Sequence, residues 1–206
     1  EYTQVDRKAL IPIGNKPMIK WVTDAFVGSD HIDRLILVGL DQSIGIDFGS
    51  KPVIDVPSTG KLVQNYIAGV ERCLQDNANS KGILIAACDI PLITPSIVDE
   101  HINMMLATDD DVYYSIVRQA TMLAKFPTSK RSYTRLRDGV FCGGNINMIS
   151  SRVMASESRS IWDQLLERRK NVFQQAALAG YGTLLRLLFG TLTIAGMALA
   201  FARDGS

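Results

Sequence analysis

Apolar and polar positions change over in short blocks along this chain, and block length and spacing name most of the elements. Residues 9–13 (ALIPI) read as a short extended segment interrupted by Pro12. Gly14-Asn15-Lys16-Pro17 then supplies turn residues and a proline suited to a first helical turn. Met18, Ile19, Val22 and Phe26 recur at helical spacing. Residues 35–38 (LILV) form a strand of the buried type. Leu62, Val63, Tyr66, Ile67, Val70, Cys73 and Leu74 make the apolar face of an amphipathic helix. Residues 82–87 (GILIAA) predict a central strand. Thr94 can cap, and Pro95 open, a helix running to about Leu106. Residues 112–117 (VYYSIV) are β-branched and aromatic, hence a strand. Residues 131–137 and 140–149 predict two further strands, and after Ser150 the pattern is helical to the end.

Alternating strands and helices argue for an α/β domain with a mostly parallel sheet flanked by helices. The last two strands, joined by Asp138-Gly139, predict a small antiparallel hairpin on that sheet. The expected organisation is an α/β core over residues 1–150 and a helical region over 151–206. In such sheets ligands bind outside the carboxyl ends of the strands. The residues just after each buried strand therefore carry most interest.

Composition narrows the classes. A chain of 206 residues suits one globular domain, and 47% hydrophobic residues exclude a disordered chain. Twenty-two basic against 21 acidic side chains give a net charge of +1, with no basic excess for nucleic acid. No secretion signal stands at the start. Cys73, Cys88 and Cys142 are odd in number, lie in apolar segments and lack metal-ligand spacing. They predict reduced, buried thiols in a cytoplasmic protein. His31 and His101 make no zinc motif. Residues 187–202 carry no charge but fall short of the roughly 20 residues needed to span a bilayer. They read as a buried helical pair or a homodimer contact, with no membrane role.

Four groups of residues could carry chemistry. A fully apolar strand ends in Cys88-Asp89-Ile90-Pro91-Leu92. Asp89 either holds a hard cation such as Mg2+, which takes one or two carboxylates plus substrate phosphates, or stiffens the turn before the next helix. Lys8 and Lys16 bracket a short apolar segment. Lysine suits phosphate, but on residues alone two solvated lysines are the stronger reading. In residues 141–149 alternation puts Val140, Cys142, Ile146 and Met148 on one face. Asn145 and Asn147 share the other face with Gly143, a pattern for close ligand approach or for an exposed face with a glycine bulge. Arg131, Tyr133, Arg135 and Arg137 would line one strand face, either against an anionic substrate or, more often, in solvent.

These residues resemble a known family. Residues 7–19 (RKALIPIGNKPMI) resemble the "PK-x-L-x-x-x-x-G-K-P-h-I" segment of nucleotidyltransferases, and residues 87–93 (ACDIPLI) resemble their "CDxPLI" metal motif. The segment Gly143 to Ile149 is similar, more weakly, to the "GGxN" strand. The nearest likeness is to MobA-like NTP transferases, relatives of the molybdenum-cofactor guanylyltransferases and sugar-phosphate nucleotidyltransferases. It covers Lys8 to about Ile149.

The resemblance implies a glycosyltransferase-A-like, Rossmann-like α/β fold. It implies a Mg2+-dependent enzyme that moves a nucleoside monophosphate from an NTP to a phosphorylated small-molecule acceptor and releases pyrophosphate. A non-catalytic nucleotide- or sugar-phosphate-binding module is the alternative. By position, Lys8 would neutralise the triphosphate and Asp89 would hold the metal. Lys16, and Lys61 in Ser58-Thr59-Gly60-Lys61, would help bind the nucleotide. Gly144, Asn145, Asn147 and Arg135 would meet the acceptor. The family also has a first strand with a "LxAGGxGxR" loop and a second carboxylate near the C-terminus. Neither occurs in this sequence, so we expect it to be part of a longer polypeptide.

Overall fold

The computed structural model describes residues 7–151 except 77–79, 81 and 109. Two compact units divide them. The first holds the residues up to Tyr113 and those from Asn145 onward; the second holds Tyr114–Gly144. The region 152–206, including the apolar residues 187–202, the predicted C-terminal helices and the expected dimer contact, lies outside the described residues.

In the first unit, Lys8–Leu10 wind into a 3-10 turn closed by the Ile11 N–H on Lys8 O at 3.1 Å. The expected extended segment is therefore split. Only Pro12–Ile13 (β1) is a strand, and it pairs antiparallel with Lys16–Pro17 (β2) across a turn where Gly14 has φ 63. Met18–Val27 (α1) follows, with Pro17 just outside its first turn in an extended conformation. Its buried Met18, Ile19, Val22, Ala25 and Phe26 fit the apolar spacing.

Leu35–Val38 (β3) pairs in parallel with Val53–Val56 (β4), Leu35 opposite Val53 through Val38 opposite Val56. The sequence reading passed over β4. Its β-branched Val-Ile-Asp-Val run was the available signal, interrupted by Asp55. Leu62–Asp76 (α2) lies close to β3: a Cβ on Gly69 would stand 3.0 Å from Val38 Cγ2. Ile83–Ala86 (β5) was expected at the centre of a parallel sheet. It instead pairs antiparallel with the end of the long strand Gly139–Ile149 (named β8 below), Ile83 opposite Ile149 through Ala86 opposite Ile146. Pro95–Leu106 (α3) begins as its sequence predicts: the Thr94 hydroxyl accepts the Ile97 N–H at 3.3 Å, with Pro95 in the first turn.

One core cluster joins Val22, Ala25 and Phe26 of α1, Leu35 of β3, and Val98 and Ile102 of α3. Leu84, Ala86, Ile90 and Ile93 pack against it, so both sides of the loop after β5 are anchored. Val98 is completely buried.

Val112–Arg118 (β6) and β8 each run from one unit into the other. The second unit adds Gln119–Lys125 (α4), which no sequence signal announced, and Thr134–Leu136 (β7). β7 pairs antiparallel with Gly139–Phe141, confirming the hairpin, but Leu136 faces Gly139 and the turn is Arg137-Asp138. Only Arg135 of the predicted arginine stripe is in a strand; Arg131 donates from Nη2 to Gly143 O at 2.9 Å. Among the described residues no helix is long and apolar enough to cross a membrane.

Candidate functional site

Asp89 sits three residues past β5. It is exposed, and its carboxylate makes no ion pair among the described residues. The turn that carries it is held on both flanks. Ile90 and Ile93 pack into the core, and the Ile93 N–H reaches Ile90 O at 3.1 Å. A rigid turn thus presents a free carboxylate to solvent.

Lys8 adjoins a second core cluster from far away in sequence. Ala9, the next residue, is buried in that cluster with Ile19, Leu37, Leu40 and Phe48. Cys88, the neighbour of Asp89, packs against that same cluster, as does Leu10. Burial pushes the Cys88 thiol up, and the Asp89 carboxylate pushes it further. The Lys8 ammonium pulls it part of the way back. Both charges therefore reach the Cys88 thiol.

Asn145 stands at the same strand end. Its carbonyl accepts the Ala87 N–H at 3.0 Å, and its side-chain amide makes no hydrogen bond among the described residues. Asn147 pairs with Ile85, two residues deeper. In this part of β8, Ile146 and Met148 are buried while the two asparagines are half-buried, so the expected alternation holds. It breaks at Phe141 and Cys142, which are both buried.

Arg7 was not singled out in the sequence, although it adjoins Lys8. Its Nη1 donates to Gly39 O at 2.7 Å. Gly39 follows β3, has φ 83, and gives its N–H to Val56 O at 2.8 Å. A Cβ there would lie 3.2 Å from Ser58 Cβ. Arg7 thus ties the Lys8 turn to the adjacent carboxyl ends of β3 and β4. Nearby, the Ser43 hydroxyl and N–H hold the Asp41 carboxyl below its usual range. Lys61, exposed, ends a loop organised by Asn65, whose Oδ1 accepts the Thr59 N–H and hydroxyl, both at 2.8 Å.

Lys16 is placed differently. Its ammonium is ion-paired with Asp24 and lies 4.1 Å from the centre of the Trp21 ring. In the second unit, Arg135 is exposed. The space beside Gly143 and Gly144 is occupied by Tyr114 and Ser115 of β6, which stand where a Cβ on either glycine would go. Cys142 is buried, whereas Cys73 and Cys88 are half-buried rather than fully enclosed; all three are free thiols.

Among the described residues no three His, Cys, Asp or Glu side chains cluster as a metal cage. A single exposed carboxylate suits a hard cation that takes its remaining ligands from phosphates and water.

The MobA-like NTP transferase domain matches residues 3–178. The chain belongs to that family. Among solved structures, this MobA-like domain resembles a hypothetical transferase from Thermus thermophilus at 28% identity and a TM-score of 0.78. The match covers 97% of this chain and 80% of that one. A CMP:2-keto-3-deoxy-manno-octonic acid synthetase complexed with CTP matches at a TM-score of 0.53 and 13% identity, over 84% of this chain and 82% of that one. At that identity the likeness is one of fold. No curated protein sequence matches the MobA-like chain. The α/β architecture and the transferase family of this domain agree.

Proposed function

We propose that this chain is a Mg2+-dependent nucleotidyltransferase that moves a nucleoside monophosphate from an NTP to a phosphorylated small-molecule acceptor. The observation that carries the reading is the shared packing of Ala9 and Cys88. Lys8 and Asp89 each adjoin a member of that cluster, and Asp89 follows the carboxyl end of β5, where α/β sheets bind ligands.

In this reaction an acceptor phosphate oxygen attacks the α-phosphorus of the NTP. The bond from the α-phosphorus to the bridging oxygen breaks, and pyrophosphate leaves with that electron pair. The acceptor oxygen is already an anion, so no protein base is required. Charge neutralisation and positioning are what the protein must supply. Lys8 meets the triphosphate with a compact positive charge. Asp89 would hold Mg2+, which when bound neutralises charge on the phosphates. Asn145, whose side-chain amide has no partner among the described residues, would offer a hydrogen bond to the acceptor, with Asn147 on the same strand face. Lys16 and Lys61 assist nucleotide binding. The free thiols support a cytoplasmic protein.

The test is pyrophosphate release from each NTP with Mg2+ and a panel of sugar and alcohol phosphates. Asp89→Asn should lower turnover by on the order of 100-fold. Unchanged turnover in that variant would overturn the assignment. Tight nucleotide binding with no release for any acceptor would favour a non-catalytic binding module.

A further inference from the structure

Lys16 and Lys20 converge on one carboxylate. Asp24 Oδ2 takes the Lys16 ammonium and Oδ1 takes that of Lys20. Lys20 lies one helical turn before Asp24 on α1, whereas Lys16 reaches it from β2. The Trp21 ring forms another wall for the Lys16 ammonium, 4.1 Å from the ring centre. The ring is itself tied down, since its indole N–H donates to Ile13 O at 2.9 Å. Ile13 is the cross-strand partner of Lys16. The hairpin, the ring and the carboxylate thus hold one long side chain in one place.

A lysine ammonium has three N–H donors. Asp24 can take one, which leaves donors for a phosphate. The Lys16 side chain keeps 27% of its exposure, so its remaining face is reachable. Two ammonium groups around one carboxylate leave a net positive charge, so the cluster still attracts anions. An unanchored lysine would have to be ordered when the nucleotide binds, at about 0.5–1.5 kcal/mol for a side chain of this kind.

We propose that Asp24 is a positioning residue of the nucleotide site: it fixes the Lys16 ammonium for the NTP phosphates, while Lys20 balances the second carboxylate oxygen. This rests on the nucleotidyltransferase reading above. The opposite role is physically distinct. Were Asp24 only a rival anion for Lys16, removing its charge would tighten nucleotide binding. Positioning requires the reverse sign, even though the substitution makes the site more positive.

The test compares Asp24→Asn, Asp24→Glu, Lys16→Met and the double variant Asp24→Asn/Lys16→Met. KM for the NTP and kcat are measured by pyrophosphate release, Kd for the NTP by calorimetry, and folding by thermal melts. Asp24→Asn should raise KM and Kd roughly 3–10-fold, with a smaller change in kcat. Asp24→Glu should recover part of that loss, and the double variant should be no weaker than Lys16→Met alone. A KM and Kd that fall or stay unchanged in Asp24→Asn, or fully additive losses in the double variant, would overturn the proposal. Asp89→Asn in the same assay separates the two readings. If it abolishes turnover while Asp24→Asn changes nothing, only the Asp24 role fails. If it leaves turnover intact, only the Asp89 role fails; if the parent releases no pyrophosphate with any NTP and acceptor, the nucleotidyltransferase reading fails, and the calorimetric comparison still decides the role of Asp24.

Discussion

Ser29, fully buried just after α1, donates its hydroxyl to Asp99 Oδ1 in the second turn of α3. The same oxygen of Ser29 accepts the His31 N–H at 3.3 Å. The pair locks α1 to the helix that follows the Asp89 turn. Ser29→Ala leaves a carboxylate oxygen and an N–H without their partner. Such a loss costs about 1–3 kcal/mol. Urea denaturation should show a lower midpoint with an unchanged m-value. A midpoint equal to the parent's would show that the contact contributes nothing.

Gly144 is required by its neighbour. A Cβ at this position would overlap Ser115 Oγ and stand 2.9 Å from Ser115 Cβ. Gly144→Ala should therefore destabilise the chain by about 2 kcal/mol through overpacking. Ser115→Gly removes the opposing side chain. In a double-mutant cycle, Ser115→Gly should absorb much of the Gly144→Ala cost, giving clearly non-additive losses. Additive losses would place the constraint elsewhere.

Acid should dissolve the Asp24 cluster in a defined direction. Burial pushes the Asp24 carboxyl up, but hydrogen bonds and charge from Lys16 and Lys20 together outweigh it, so the pKa falls below 3.8. A depressed folded-state pKa means the ion pairs stabilise fully above the ordinary value and are lost as pH falls through the lower one. The gap in Tm between the parent and Asp24→Asn should be steady above about pH 5 and close in stronger acid. Thermal melts along a pH series read this directly, and a gap that widens in acid would contradict it.

Most elements were legible in the residue pattern because their causes are local. Apolar spacing in α1 and α2, the Thr94-Pro95 start of α3, and the apolar runs of β3 and β5 act within a few neighbours. The motif around Asp89 was legible for the same reason: an apolar strand, a carboxylate and a proline turn are contiguous. β4 was less so, because a four-residue strand with Asp55 inside it is stabilised chiefly by pairing with β3.

The sequence by itself determined the family, the α/β class and which residues could meet phosphate or a cation. These follow from short contiguous motifs and from periodicity. Only the tertiary structure decided how those residues are deployed. It gathered Ala9 and Cys88, the neighbours of Lys8 and Asp89, on one core cluster, and it gave Lys16 to Asp24 and Trp21. It also paired β5 antiparallel with β8 and filled the space at Gly143 and Gly144 with Tyr114 and Ser115. Each of these outcomes depends on which distant side chain or strand arrives alongside. A lysine reads the same in sequence whether it awaits a ligand or already holds a carboxylate.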